Sequence, residues 1–186
     1  MLHPHVKSRR VRLRPTTADD SATFYRTLLH AGVESLPPRA AIEQEFAHLD
    51  ALFLLERRDT GEVIGYSTLH GHNPAGHIEI GLYTDTTRAR HGVGGEGLVL
   101  TMNYGFAVYD VGKMIVRTTE ASFSGIGEEF DAEGREGVLP DHLYFRGGLW
   151  DLHCFAMRRA EWEEYMEHVG PVLRRHAGRA APTNGR

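Results

Sequence analysis

A glycine-rich stretch in the middle of the chain could bind phosphate groups. It runs from Thr87 to Leu98 and contains Arg88, Arg90, Gly92, Gly94, Gly95 and Gly97. A helical pattern follows it directly, and the free N–H groups and partial positive charge of a helix N-terminus favour a bound anion. Glycines at that point let a pyrophosphate lie against the backbone, and the preceding arginines would add charge for a further phosphate. Coenzyme A, which carries a pyrophosphate and a separate ribose phosphate, fits this arrangement.

Two other interpretations of the same glycines remain open. Gly92, Gly94 and Gly97 match G-x-G-x-x-G, the fingerprint of a dinucleotide-binding fold. That fold requires the first glycine in the tight turn after a parallel strand, whereas here seven or eight residues separate Gly92 from a strand that ends near Tyr83 or Thr84. A NAD-dependent enzyme is therefore the less favoured interpretation. The third interpretation is a tight strand-to-helix connection that binds nothing.

Hydrophobic patterns predict the elements that would position this stretch. The predicted strands cover 10–15, 51–57, 62–70, 77–85 and 113–118, a hairpin covers 143–159, and the predicted helices cover 18–32, 39–50, 96–112 and 160–178. In the strand before the glycines, Ile78, Ile80 and Leu82 share one face, and the odd-numbered residues share the other. We expect the helix after the glycines to end at Gly112, and Pro171 to bend or interrupt the last helix.

Length, charge and cysteine content limit the class of protein. The 186 residues suit one core and predict a single domain over 1–176 with a flexible tail over 177–186. A net charge of −4 gives no basic surface for nucleic acid. The single cysteine, Cys154, cannot form an intrachain disulfide, and the sequence has neither a signal-peptide pattern nor an apolar run of membrane-spanning length. We therefore expect a cytoplasmic protein without nucleic-acid or membrane partners.

The order of these elements and several short motifs resemble the GNAT superfamily of N-acetyltransferases. The acetyl-CoA loop of that family reads Q/R-x-x-G-x-G/A, which falls on 89–94 here with Ala89 in the leading position. A narrower resemblance is to the branch that acetylates the N-termini of ribosomal proteins. It rests on EIGL (79–82), GVGGEGL (92–98), EFDAEG (129–134), and Asp151 with RAEW (159–162). The resemblance covers roughly residues 10 to 162 and implies an α/β fold: a mixed, mainly antiparallel central sheet with flanking helices.

The resemblance also implies where acetyl-CoA binds. Its phosphates would lie on the glycine stretch, and Thr119 stands where relatives carry an asparagine that touches the cofactor. The implied cofactor residues are Leu82, Tyr83, Thr84, Arg88, Arg90, His91, Gly92, Val93, Gly94, Gly95, Glu96 and Thr119. In the family, the strand before the loop separates from the next strand and frees its amides. A backbone N–H of Leu82, Tyr83 or Thr84 would therefore polarise the acetyl carbonyl.

Acetyl transfer to an amine requires a group that accepts the proton of the amine. Glu79 is the first candidate because it lies on the strand a short way before the implied thioester site. His70, His72 and His77 compete with it. Glu79 could equally be an exposed or ion-paired strand residue, and the loop histidines could simply be solvated. We expect no metal, because the spacing of these histidines matches no metal-ligand pattern and this reaction requires none.

The leaving thiolate must also be stabilised or protonated. Relatives use a tyrosine after the next strand, but residues 117–130 contain no tyrosine. Ser122 or Ser124 could take its place, or solvent could protonate the thiolate. We expect direct transfer, in a ternary complex, to a primary amine of a small molecule or of a protein N-terminus. A non-catalytic acyl-CoA-binding module of the same fold is the alternative, and a homodimer is left open.

Overall fold

The structure, a computed structural model, describes residues 2–32, 36, 38–85, 87–89, 92–119, 134–145 and 147–177. Its strands are β1 Val11–Pro15, β2 Ala51–Arg57, β3 Val63–Asn73, β4 His77–Thr84, β5 Lys113–Thr118, β6 Arg135–Phe145 and β7 Gly148–Arg158. Its α-helices are α1 Ser21–Ala31, α2 Arg39–Phe46, α3 Val93–Val108 and α4 Arg159–Ala177, and a 3-10 turn, Ala18–Asp20, precedes α1. The predicted strands and helices are present in the predicted order.

The strands form one sheet in the order β1-β2-β3-β4-β5-β7-β6. Each neighbouring pair is antiparallel except β4 and β5, which run parallel. This confirms the mixed, mainly antiparallel α/β fold with flanking helices. A dinucleotide-binding fold needs a largely parallel, doubly wound sheet, so the sheet argues against the NAD interpretation.

Each face of the sheet carries a separate part of the core. On one face, the buried side chains of α3 pack with α4, which contributes Trp162 and Met166. On the other face, α1 and α2 pack Phe24 and Ile42 against Tyr66 of β3. The alternation predicted for β4 follows this division, because Ile78 and the other even-numbered residues face α3. The odd-numbered residues of β4 therefore share the face that carries α1 and α2.

Helices α2 and α3 end earlier than predicted, α2 at Phe46 instead of Asp50. Helix α3 ends at Val108, not at Gly112, because the backbone of Tyr109 is extended (φ −100°, ψ 138°). The guanidinium of Arg159 donates hydrogen bonds to the carbonyl oxygens of Phe106, in the last turn of α3, and of Tyr109 and Val111 beyond it, and so caps the helix from another element. Helix α4 continues through Pro171 to Ala177, so the proline does not interrupt it.

Among the described residues, every helix is either too short or too polar to cross a lipid bilayer.

Candidate active site

A cleft opens in the middle of the sheet because β4 and β5 pair over only part of their length. Their parallel pairing runs from His77 with Lys113 to Ile80 with Val116. Strand β4 continues to Thr84 and stays paired with β3 over its whole length, up to the pair of Gly65 with Thr84. Among the described residues, the edge of β4 that faces β5 therefore has no strand partner from Gly81 onward.

The main-chain groups of Leu82 and Thr84 point into this cleft. The N–H of Asp85 donates to the carbonyl oxygen of Ile64 on β3, at 2.9 Å. Alternate residues of a strand direct their N–H groups to the same side, so Tyr83 also faces β3 while Leu82 and Thr84 face β5. Of the three amides that the sequence suggested for the acetyl carbonyl, the geometry favours these two.

The N-terminus of α3 lies beside the end of the cleft. Gly92 precedes the helix with φ 73°, a left-handed conformation that glycine adopts without strain. The first residues of the helix, Val93 to Gly95, have N–H groups without an intrahelical acceptor, and no side chain of the described residues caps them. The side chain of Val93 packs in the core, so only its main chain faces outward. A Cβ placed on Gly94 would lie 3.6 Å from Thr84 Cγ2, and one on Gly95 would meet no atom of a described residue within 4 Å. This helix start can therefore receive an anion.

The carboxylate of Glu96 turns away from that helix start. Its Oε1 lies 2.5 Å from the Nε of Arg10, and its other oxygen accepts hydrogen bonds from the Ser8 hydroxyl and the Arg10 main chain. Glu96 therefore fastens the N-terminal segment to α3. Any contact of Glu96 with a cofactor would have to come from its main chain.

Arg88 is engaged by two acids. Its Nε lies 3.3 Å from Asp85 Oδ2 and its Nη1 lies 3.5 Å from Glu62 Oε1. It borders a cavity of about 160 Å³ that also reaches His30 on α1. Of the other predicted cofactor residues, Thr119 is buried directly after β5. Arg90, His91, Ser122 and Ser124 lie outside the described residues.

Asp85 organises the turn before the glycines, and the sequence analysis did not identify it. The buried carboxylate accepts hydrogen bonds from the Thr87 hydroxyl (2.6 Å) and main chain (3.0 Å), and its other oxygen lies 2.8 Å from His30 Nδ1. Burial by itself would raise the pKa of Asp85, but the hydrogen bonds from Thr87 and His30 outweigh burial and lower it. The Asp-x-Thr sequence of an Asx turn was the available signal.

Glu79 lies on the face of the sheet that carries α1 and α2, just before the cleft opens. Its Oε1 accepts a hydrogen bond from Arg117 Nη2 of β5 at 2.9 Å. Its Oε2 lies 3.7 Å from Nε2 of His70, its cross-strand partner on β3. Glu79 is therefore an ion-paired strand residue, as one interpretation of the sequence proposed. Its second carboxylate oxygen lies beside the imidazole of His70.

The three candidate histidines separate in the fold. The pairing of β3 with β4 shifts between His70 and Asn73, where Gly71 has φ 67°. The bulge lets the His72 ring pack on Tyr109 at 5.5 Å, near the end of α3. His77 begins β4, further from the cleft than Glu79. In the described part of the chain, no three His, Cys, Asp or Glu side chains come together in a way that could hold a metal ion.

Comparison with known proteins identifies the family. The sequence profile of the acetyltransferase (GNAT) domain matches residues 10–121. Among curated proteins, no sequence matches the chain.

Solved structures share the fold. The spermidine N-acetyltransferase of Vibrio cholerae, in complex with CoA and spermine, is 13% identical with a TM-score of 0.66, over 82% of this chain and 98% of that one. A GCN5-related N-acetyltransferase from Brucella melitensis is 21% identical with a TM-score of 0.62, over 97% and 87% of the two chains. A GNAT-family acetyltransferase from Bacillus anthracis is 17% identical with a TM-score of 0.62, over 84% and 99%.

These identities establish a shared fold and no more, whereas the domain match covers more than half of the chain. The fold, the cleft between β4 and β5 and the glycine-rich start of α3 agree with that match. The chain therefore belongs to the GNAT family of acetyltransferases, whose acyl donor is acetyl-CoA.

Proposed function

We propose that this acetyltransferase transfers the acetyl group directly from acetyl-CoA to a primary amine while both substrates are bound. The observation that carries the proposal is the partial pairing of β4 with β5. It leaves the amides of Leu82 and Thr84 directed into a cleft that ends at the N-terminus of α3. One cleft thus offers a phosphate site at its open end and hydrogen-bond donors along its wall.

The phosphates of acetyl-CoA would bind the free N–H groups at Val93, Gly94 and Gly95. The arm between the phosphates and the thioester would follow the free edge of β4, as an added strand would. A hydrogen bond from the Leu82 or Thr84 N–H to the acetyl oxygen would then stabilise the negative charge that develops on that oxygen in the transition state.

The acceptor amine would approach from the face that carries Glu79 and His70. Arg117 holds one oxygen of the Glu79 carboxylate and so fixes its orientation. The second oxygen and the His70 imidazole lie 3.7 Å apart. As the amine nitrogen bonds to the carbonyl carbon, this pair would accept the proton that the nitrogen loses.

Acidic side chains on the same face suit a positively charged acceptor. Glu45 of α2 lies close enough to Tyr83 for its charge to raise the pKa of that tyrosine. Polyamines are one acceptor class, because the Vibrio cholerae protein with this fold is a spermidine acetyltransferase in complex with spermine. Protein N-termini are the other, because the motifs of this chain resemble the ribosomal-protein branch.

A panel of amines tests the proposal. Purified protein is incubated with acetyl-CoA and spermidine, spermine, simple primary amines or short peptides with free N-termini. Thiol release is measured against a blank without acceptor, since Cys154 is a free thiol that also reacts with thiol reagents. Mass spectrometry then identifies the acetylated nitrogen.

Two results would contradict the proposal. Initial rates at varied concentrations of both substrates should give intersecting double-reciprocal lines, whereas parallel lines would indicate an acetyl-enzyme intermediate. Tight binding of acetyl-CoA without acetylation of any amine would favour the non-catalytic acyl-CoA-binding module.

A further inference from the structure

The hydroxyl of Tyr83 lies at the point where the cleft opens. Tyr83 and Gly81 share one face of β4, and Gly81 is the first β4 residue beyond the last pair with β5. The tyrosine ring leans back over Gly81. A Cβ placed on Gly81 would lie 3.0 Å from Tyr83 Cε2 and 3.5 Å from its hydroxyl oxygen. Only glycine leaves room for the ring in this position.

Aromatic neighbours hold that ring in place. Tyr83 stacks on Tyr66, its cross-strand partner, with ring centroids 4.7 Å apart and planes 20° apart. Tyr66 in turn contacts the edge of Phe24 of α1 at 4.8 Å. The position of the Tyr83 hydroxyl is therefore set by the core and does not depend on a bound ligand.

The hydroxyl is available to a ligand. It forms no hydrogen bond with any other described residue. Burial raises the pKa of Tyr83, and the negative charge of Glu45 raises it further. The hydroxyl therefore stays protonated at neutral pH and can donate a hydrogen bond.

We propose that the Tyr83 hydroxyl donates a hydrogen bond to the sulfur of acetyl-CoA and stabilises the thiolate as it leaves. The inference rests on the proposed binding of acetyl-CoA in the cleft. It assigns to Tyr83 the contact with the leaving sulfur that the sequence suggested for Ser122 or Ser124.

The step balances without another reactant. The amine nitrogen bonds to the carbonyl carbon and gives its proton to the pair of Glu79 and His70. The carbon–sulfur bond then breaks, and the sulfur keeps the electron pair. The thiolate accepts the Tyr83 hydrogen bond and takes its proton from solvent, so Tyr83 ends the step unchanged.

Two matched variants test this role. Tyr83→Phe removes the hydroxyl and keeps the stacked ring. Tyr66→Phe removes a hydroxyl from the other ring of the same stack and controls for the packing. Thermal unfolding of both variants establishes that the fold is retained.

The binding experiment compares CoA with desulfo-CoA between pH 7 and pH 9.5 by calorimetry. A thiol ionises near pH 8.5, and a hydrogen bond to the resulting charge should tighten CoA binding roughly tenfold in the parent and in Tyr66→Phe. The affinity for desulfo-CoA should not rise with pH in this way. In Tyr83→Phe, the rise in affinity for CoA should disappear. With any acceptor found, kcat of Tyr83→Phe should fall roughly tenfold while both KM values change little.

The results separate this inference from the proposed function. A gain in CoA affinity that survives in Tyr83→Phe, or disappears equally in Tyr66→Phe, overturns the role of Tyr83 and leaves acetyl transfer intact. A larger acceptor KM in Tyr83→Phe, with kcat unchanged, assigns the hydroxyl to the acceptor and also overturns it. If the parent does not bind CoA at all, the proposed binding cleft itself is wrong.

Discussion

Substitution of Gly94 by aspartate should separate ligand binding from folding at the glycine-rich helix start. Among the described residues, a Cβ at this position meets only Thr84 Cγ2, at 3.6 Å, which is ordinary van der Waals contact. Glycine is among the poorest helix formers, and an acid in the first turn gains about 0.3–1 kcal/mol from the helix dipole. The free energy of unfolding of Gly94→Asp should therefore equal that of the parent or exceed it by up to about 1 kcal/mol.

The same substitution should strongly weaken acetyl-CoA binding. The new carboxylate would stand close to a phosphate bound on the N–H groups of Val93 to Gly95. At a separation of about 5 Å, two unit charges repel by about 3 kcal/mol at an effective dielectric constant of 20, and by just under 1 kcal/mol in bulk water. Even the lower value reduces affinity about fourfold, and the side chain also occupies space at the phosphate site. We therefore expect the affinity of Gly94→Asp for acetyl-CoA to fall by much more than about tenfold.

Calorimetric titration with CoA measures the change in affinity. Urea unfolding of the same protein preparation measures the change in the free energy of unfolding. Gly94→Asn is the matched control, because it adds the same bulk without the charge and should lose less affinity. Unchanged CoA affinity in Gly94→Asp would refute the phosphate site at α3. A loss of affinity accompanied by an equal loss of unfolding free energy would mean that Gly94 serves the fold instead.

Three further predictions concern catalysis, pH dependence and stability. Glu79→Gln should lower kcat by roughly 10²–10⁴ and flatten the acidic limb of the pH–rate profile, with CoA affinity nearly intact. A fall of only a few-fold would assign proton removal to a histidine or to water. The pKa of Asp85 is held below its ordinary value of 3.8, so its contribution to stability is present above that pH and is lost as pH falls through the lower folded value. Asp85→Asn should therefore be less stable than the parent at pH 7, and urea titrations at pH 3 should show a smaller difference. Arg159→Met should lower the free energy of unfolding by about 2–4 kcal/mol, because the guanidinium binds three main-chain carbonyl oxygens at the end of α3 at 2.8–2.9 Å. A loss below about 0.5 kcal/mol in urea unfolding would show that solvent replaces those bonds at little cost.

Local patterns predicted most of the fold. Alternating side chains identified β4, with Ile78 on the α3 face and Glu79 on the other. The hairpin of β2 and β3 and the buried helix after the glycines are also present. These features depend on residues close together in sequence, so the period of the side chains and the turn residues suffice to predict them.

Contacts between distant residues could not be predicted in the same way. Arg117 binds Glu79 across 38 positions of sequence, and Arg10 binds Glu96 across 86. The bulge at Gly71 separates His72 from His70, although their spacing in a regular strand would place both on one face. The Arg117–Glu79 pair and the bulge depend on strand register, which the alternation within one strand does not specify. The Arg10–Glu96 pair depends on how α3 packs beside the N-terminal segment.

The sequence by itself determined the kinds of element, their order and a glycine-rich helix start suited to phosphate, because each follows from local conformational preference. Only the tertiary structure decided where β4 leaves β5, and therefore that the amides of Leu82 and Thr84 face the cleft. It also decided that the Tyr83 hydroxyl lies over Gly81 at the opening of that cleft. The physical reason is that a cleft in a sheet is an absence of pairing between two strands, and pairing between strands is settled by the packing of the whole core.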